Sequence, residues 1–253
     1  PHSLGLLYSA ITFYLGWKHH SDEGIVMGLA TYGDAEKLIP GSTQSYYQVF
    51  EGILIDKGGF DYEINLDWVD YHNRRDSWVT EKFLSCFGEP RAPGMEPNQN
   101  HMDVAAALQK RLEVIVIKQL ERAKTKYGVD RLCLAGGVAL NCSMNGKLES
   151  SDLFKEIFVQ PASGDSGVAI GACLLSERSR NPSFLPVRNS YPYLGSGWNS
   201  EEINQALVNA GLDSTMPRNV LSRTSKQLAN GRIVGWYQGR SEFGPRALGN
   251  RSI

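Results

Sequence analysis

One arrangement occurs twice in this chain and limits the folds open to it: a short apolar run, a turn containing glycine, then a helix-like stretch. In the first copy Leu132-Cys133-Leu134-Ala135 leads through Gly136-Gly137 into a helical pattern that ends near Leu148. In the second, Ile157-Phe158-Val159-Gln160 leads through residues 161–167 into a helical pattern that ends near Arg178. Strand, turn and helix in that order argue an α/β domain, in which ligands gather where the strands end.

The flanking sequence adds further elements. Ser3 is an N-cap candidate for a helix carrying Leu4, Leu7, Tyr8, Ile11 and Leu15 as far as Gly16. A glycine-rich stretch follows at 27–33. The alternation of Phe60, Tyr62, Ile64, Leu66 and Trp68 with polar residues predicts a half-buried strand, and a polar connection over 70–100 carries one short helix at 78–86. A long helix is expected over 103–127, closed by Gly128. Prolines and glycines mark 181–198 as a linker between a first domain (1–180) and the start of a second (199–253). That second region opens on the capping box Asn199 to Glu202, continues through a helix at 222–230 and reaches a strand at 233–237.

Composition narrows the function. The chain has 253 residues, enough for a substantial core, and its 26 Lys and Arg against 27 Asp and Glu leave a net charge of -1. A general nucleic-acid or anionic-membrane surface needs a net basic face, so neither partner is expected. The uncharged run 1–17 is too short and too polar to span a bilayer. Cys86, Cys133, Cys142 and Cys173 lack C-x-x-C spacing, which fits reduced thiols and a cytoplasmic protein. A homo-oligomer is compatible with the sequence. The start at Pro1 without Met and the stop at Ile253 without a polar tail read as a piece of a longer protein.

Several segments could carry chemistry. Gly136-Gly137 is either a tight turn or a place where backbone approaches a ligand at a helix N-terminus; Asn141 either caps that helix or points into the same mouth. Asp165, among small residues before the second helix, is a cap or a ligand. The string Gly164-Asp165-Ser166-Gly167 resembles a serine-protease nucleophile loop, but no histidine lies in a matching context. The adjacent His19 and His20 read as a solvent-facing loop, and His72 and His101 have no partner by spacing. Residues 239–251 place Arg240, Arg246 and Arg251 on a glycine-rich backbone, suited to phosphate or carboxylate recognition or else a charged exposed loop.

In their order along the chain, residues 3–16, 26–33, 135–141 (Ala-Gly-Gly-Val-Ala-Leu-Asn), 161–171 and 239–253 resemble the NodU/CmcH family of O-carbamoyltransferases. The resemblance implies an actin-like ATPase (ASKHA, ribonuclease H-like) domain followed by the beginning of a YrdC-like α/β domain. It implies an ATP-dependent reaction in which carbamoyl phosphate and ATP give carbamoyl-adenylate. The carbamoyl group then passes to a hydroxyl of a small-molecule or oligosaccharide acceptor. By the same resemblance Gly28, Gly33, Gly136, Gly137 and Asn141 contact the nucleotide or carbamoyl-adenylate, and Arg246 and Arg251 contact phosphate. Asp165 would be one ligand of a divalent metal, iron among the candidates, whose His-x-x-x-His pair lies upstream of the residues present. Thr31 stands where the family usually has Pro, and Ile25 where Lys is common. Two other readings share the cleft: a non-catalytic nucleotide-binding module and an ASKHA-type kinase.

Overall fold

The structure, a computed structural model, describes residues 2–74, 76–186 and 192–253, so residues 187–191 of the expected linker lie outside the described residues. The chain is mixed α/β and divides into two compact units, Pro1–Phe158 and Val159–Ile253.

In the first unit, Ser3 caps α1 (Leu4–Tyr14), its Oγ accepting the Leu6 N–H at 3.3 Å. The apolar spacing read from the sequence buries Leu7, Tyr8, Ile11 and Tyr14. The helix stops before Leu15 because Gly16 turns left-handed with φ 77°, where a Cβ would meet the Arg91 carbonyl at 2.4 Å. Then come α2 (Glu23–Leu29), running into a 3-10 turn at Ala30–Tyr32, and α3 (Tyr46–Ile53), opened by a Ser45/Gln48 capping box.

The strand expected over Phe60–Trp68 is much shorter. A hairpin pairs β1 (Leu54–Gly58) with β2 (Asp61–Ile64), and β1 was not expected. Pairing ends at Ile64 because Asn65 starts a turn: its Oδ1 accepts the Asp67 N–H at 3.0 Å and its carbonyl the Trp68 N–H at 3.2 Å. Likewise α4 (Glu81–Phe87) starts three residues later than predicted, because Thr80 is its cap and Val79 bridges Val69.

The long helix α5 (Gln99–Tyr127) ends as expected at Gly128, φ 63°, but begins earlier, at a capping box between Asn98 and His101. His101 thus has a structural role that its spacing did not show. The two strand–turn–helix copies appear as β3 (Arg131–Leu134) with α6 (Cys142–Ser150), and β4 (Glu156–Val159) with α7 (Val168–Arg180). The principal core belongs to the first unit: Leu7, Ile11, Tyr14, Phe50, Ile53, Leu54, Phe83, Leu108 and Ile115 are at most 1% exposed.

The second unit contains α7, α8 (Ser200–Asn209), α9 (Val220–Ala229), β5 (Trp236–Tyr237) and β6 (Arg251–Ser252). The Asn199/Glu202 capping box opens α8 as read from the sequence. The strand expected over 233–237 shrinks to its last two residues, paired antiparallel with β6. Strands of the described residues form three two-stranded sheets, β1-β2, β3-β4 and β5-β6. Among those residues no helix is long and apolar enough to cross a membrane.

Candidate functional site

The first locus lies between β3 and α6. Gly136 adopts φ 97°, a conformation strained for any side chain, and Gly137–Leu140 form a single 3-10 turn. Ala139 donates its N–H to the Gly136 carbonyl and Asn141 to that of Val138, both at 3.0 Å. Gly136 and Gly137 are exposed, and a Cβ on Gly137 would meet nothing within 4 Å. The turn therefore presents bare backbone to whatever approaches it.

Asn141 ends the turn, caps α6 and is buried. Its Oδ1 accepts the Met144 N–H at 2.9 Å and the Gln109 Nε2–H at 3.0 Å, while its Nδ2 donates to Gln109 Oε1 at 2.8 Å. The cap anticipated from sequence is present; the Gln109 partnership is not visible from spacing, since 32 positions separate the two. Asn145 clasps the same turn through the Ala139 carbonyl at 2.8 Å, and its Oδ1 is buried without a hydrogen-bond partner.

Gly28 and Gly33 lie in the same unit. Cys142 Sγ is 3.7 Å from Met27 Sδ, so the residues beside Gly28 and Asn141 touch. A Cβ on Gly28 meets nothing within 4 Å, whereas one on Gly33 would lie 2.0 Å from the Met102 carbonyl oxygen. Gly33 is thus where the 3-10 turn packs onto the first turn of α5. Asp103, fully buried, fastens that contact by accepting the Asp34 N–H at 2.9 Å, Gln99 Nε2–H at 2.8 Å and Lys37 Nζ at 3.0 Å.

One of the two adjacent histidines departs from expectation. His19 is half-buried, its ring 4.2 Å from Trp78 and 5.6 Å from Phe13, while His20 is exposed. Burial and the neighbouring His20 both lower the His19 pKa. Trp78 provides the apolar wall that a solvent-facing loop would lack.

The second unit brings together two segments singled out by sequence. Gly244, φ 118°, lies so close to Pro161 that a Cβ would sit 2.3 Å from the Pro161 carbonyl oxygen. Asp165 is exposed at the head of a 3-10 turn, Asp165–Gly167, whose cap position is Gly164; its side chain therefore does not cap. Nearby Ser163 is buried with its Oγ unpartnered.

The organiser of the arginine segment is Glu242, which sequence reasoning missed. Its side chain is fully buried, and Oε1 accepts the N–H groups of Leu248 and Asn250 at 2.8 Å and of Arg251 at 3.4 Å. Oε2 faces Arg251 Nε at 3.3 Å, and Arg251 Nη2 also donates to the Gly244 carbonyl at 2.5 Å. Burial, the largest single influence, would raise the Glu242 carboxyl, but the backbone amides of Leu248, Asn250, Arg251 and Glu242 itself together outweigh it and hold the group down at about 2. Arg240 donates to the Gly195 and Leu194 carbonyls at 2.8 and 3.0 Å, and Arg246 is half-buried. Arg240 and Arg251 thus brace the loop that displays them.

Of the metal set implied by the resemblance, only Asp165 is present. No group of three His, Cys, Asp or Glu among the described residues could hold an ion. The described residues by themselves do not make up a metal site.

Residues 1–174 match the family described as Carbamoyltransferase N-terminus, and residues 225–253 match Carbamoyltransferase C-terminus. Nodulation protein NolO of Bradyrhizobium diazoefficiens is 41% identical over 254 residues, covering 99% of this chain and 43% of that protein. Nodulation protein NolNO of Sinorhizobium fredii is 42% identical, covering 99% of this chain and 34% of its own length. Nodulation protein U of Azorhizobium caulinodans is 35% identical over 60% of this chain and 26% of that protein. The chain spans less than half the length of these curated relatives. On the strength of the match over residues 1–174, and of two relatives above 40% identity along nearly the whole chain, it belongs to the carbamoyltransferase family.

Proposed function

We propose that the protein to which this chain belongs is a cytoplasmic, ATP-dependent O-carbamoyltransferase. Carbamoyl phosphate and ATP are its donors, carbamoyl-adenylate its intermediate, and a hydroxyl of a small molecule or oligosaccharide its acceptor. On this reading residues 1–180 belong to an actin-like ATPase (ASKHA) domain and residues 199–253 open a YrdC-like domain, joined by 181–198. In the last step the acceptor oxygen attacks the carbamoyl carbon and adenylate leaves; the hydroxyl proton is lost to solvent or a base.

The observation that carries the reading is the open turn at Gly136-Gly137. Exposed backbone after a strand and before a helix N-terminus suits an anionic or nucleotide ligand, and the turn lies within the matched residues 1–174. Gly28, Gly33 and Asn141 are assigned to the same nucleotide, Arg246 and Arg251 to phosphate, and Asp165 to a divalent metal completed by groups outside this chain.

Gly137 offers a discriminating test. Its Cβ position is empty and its φ is not positive, so the Cβ that a side chain adds meets nothing in the free fold. Gly137→Val is expected to melt with the wild type yet bind ATP or a carbamoyl-adenylate analogue at least about tenfold more weakly, about 1.4 kcal/mol, by calorimetry. Equal affinity would remove the turn from the binding site.

A further inference from the structure

Behind the Gly136–Asn141 turn lies a buried polar chain in which Asn141 is the one member assigned above to the nucleotide. It runs from Tyr8 on α1 through Gln109 and Glu113 on α5 to Asn141 and Lys147 on α6. Tyr8 donates its hydroxyl to Gln109 Oε1 at 2.9 Å, and Gln109 Nε2 donates to Glu113 Oε1 at 2.7 Å and to Asn141 Oδ1 at 3.0 Å. Lys147 Nζ donates to Glu113 Oε2. Gln109, Glu113 and Asn141 are each at least nine-tenths buried.

The partners dictate the direction of both amides. The Met144 N–H can only donate, so Asn141 must present Oδ1 to it; an ionised Glu113 can only accept, so Gln109 must present Nε2. With those ends fixed, the two amides meet as a reciprocal pair, each donating to the other. One Nδ2 hydrogen of Asn141 takes no partner among the described residues, and the pair determines where it points.

We propose that Gln109 is a positioning residue for adenine-nucleotide binding: it holds the Asn141 amide and the turn before it in one orientation, without touching the nucleotide itself. The inference rests on the nucleotide role proposed above for Gly136, Gly137 and Asn141. Gln109→Leu keeps the volume and removes both amide ends. Gln109→Glu loses the donors when ionised, but burial and the facing Glu113 raise its pKa, and the protonated acid regains one donor.

The experiment is ATP calorimetry on the full chain, with thermal melts and the Asn141 side-chain amide signals by NMR. In folded Gln109→Leu, affinity is expected to fall at least about tenfold and the Asn141 amide to move towards solvent-exposed shifts. In Gln109→Glu, affinity relative to the wild type at the same pH should recover on acidification, as the variant carboxyl takes up a proton. Unchanged affinity in folded Gln109→Leu, or an unmoved Asn141 amide, overturns the inference alone. If Gln109→Leu does not fold, the pH profile of Gln109→Glu decides, and a flat one overturns it. A wild-type chain that binds no nucleotide overturns both the nucleotide role and the positioning role.

Discussion

Helices of the two compact units all carry apolar residues and differ in what they do with them. Helix α1 buries seven of its residues and α5 twelve, whereas α7, α8 and α9 bury none. The first unit is therefore held by packing. The 239–252 segment of the second is held by directed contacts: a carboxylate on three amides, two arginines on carbonyls, and a glycine pressed on Pro161. An apolar stripe shows that a helix can be buried; the partner surface decides whether it is.

The largest effect should follow from opening the packed side. Phe83 is fully buried, with ring centroids 4.5 Å from Phe87 and 4.9 Å from Tyr14. Phe83→Ala removes both ring contacts and leaves a cavity, for an expected loss of about 3–5 kcal/mol in chemical denaturation. A loss under about 1 kcal/mol would mean that packing does not dominate this unit.

Overfilling comes next. At Gly33 a methyl would strike the Met102 carbonyl oxygen at 2.0 Å and its carbon at 2.3 Å, backbone against backbone with no rotamer to yield. Gly33→Ala is expected to destabilise by about 1–3 kcal/mol, while Gly28→Ala, with open space around it, should be near neutral. Equal effects would show that the α5 contact is soft.

How much of this was legible differs by mechanism. Caps and periodic faces are local, so Ser3, Asn199 and the Gly128 stop are readable within a few residues of the helix they bound. The α5 start escaped because His101 replaces the usual Glu or Gln of a capping box. The turn at Gly136 and the arginine segment could be marked from glycine spacing. Their supports could not: Gln109 and Asn141 are 32 positions apart, and an isolated glutamate gives no sign of burial before the chain folds around it. The strand over 60–68 failed because the Asn65 side-chain turn competed with the alternating pattern.

On the directed side, pH is the lever. Glu242 titrates in the fold at about 2, below the roughly 4.3 of a free glutamate, so its contribution is present above about pH 4.3 and is lost as the pH falls towards 2. Amide protection at Leu248 and Asn250, both bonded to its Oε1, measured relative to intrinsic exchange at each pH, is expected to fall across that window before the core of the first unit opens. In Glu242→Gln that acid dependence should vanish. Protection that persists to pH 2 in the wild type would show the segment is held by packing after all.

The smallest expected effect is the sharpest check on the contrast. Leu221 on α9 and Val208 on α8 are 71% and 73% exposed, so little of their apolar surface leaves water on folding. Replacing either with Ser removes side-chain atoms that face solvent in both states, and the remaining difference is helix propensity, a few tenths of a kcal/mol. Leu221→Ser and Val208→Ser should each stay within about 0.5 kcal/mol of the wild type by thermal denaturation. A loss above about 1 kcal/mol in either would mean that this face is covered in solution. The second unit would then be a packed structure like the first, and the difference between the units would lie in what contacts their helices rather than in how they are built.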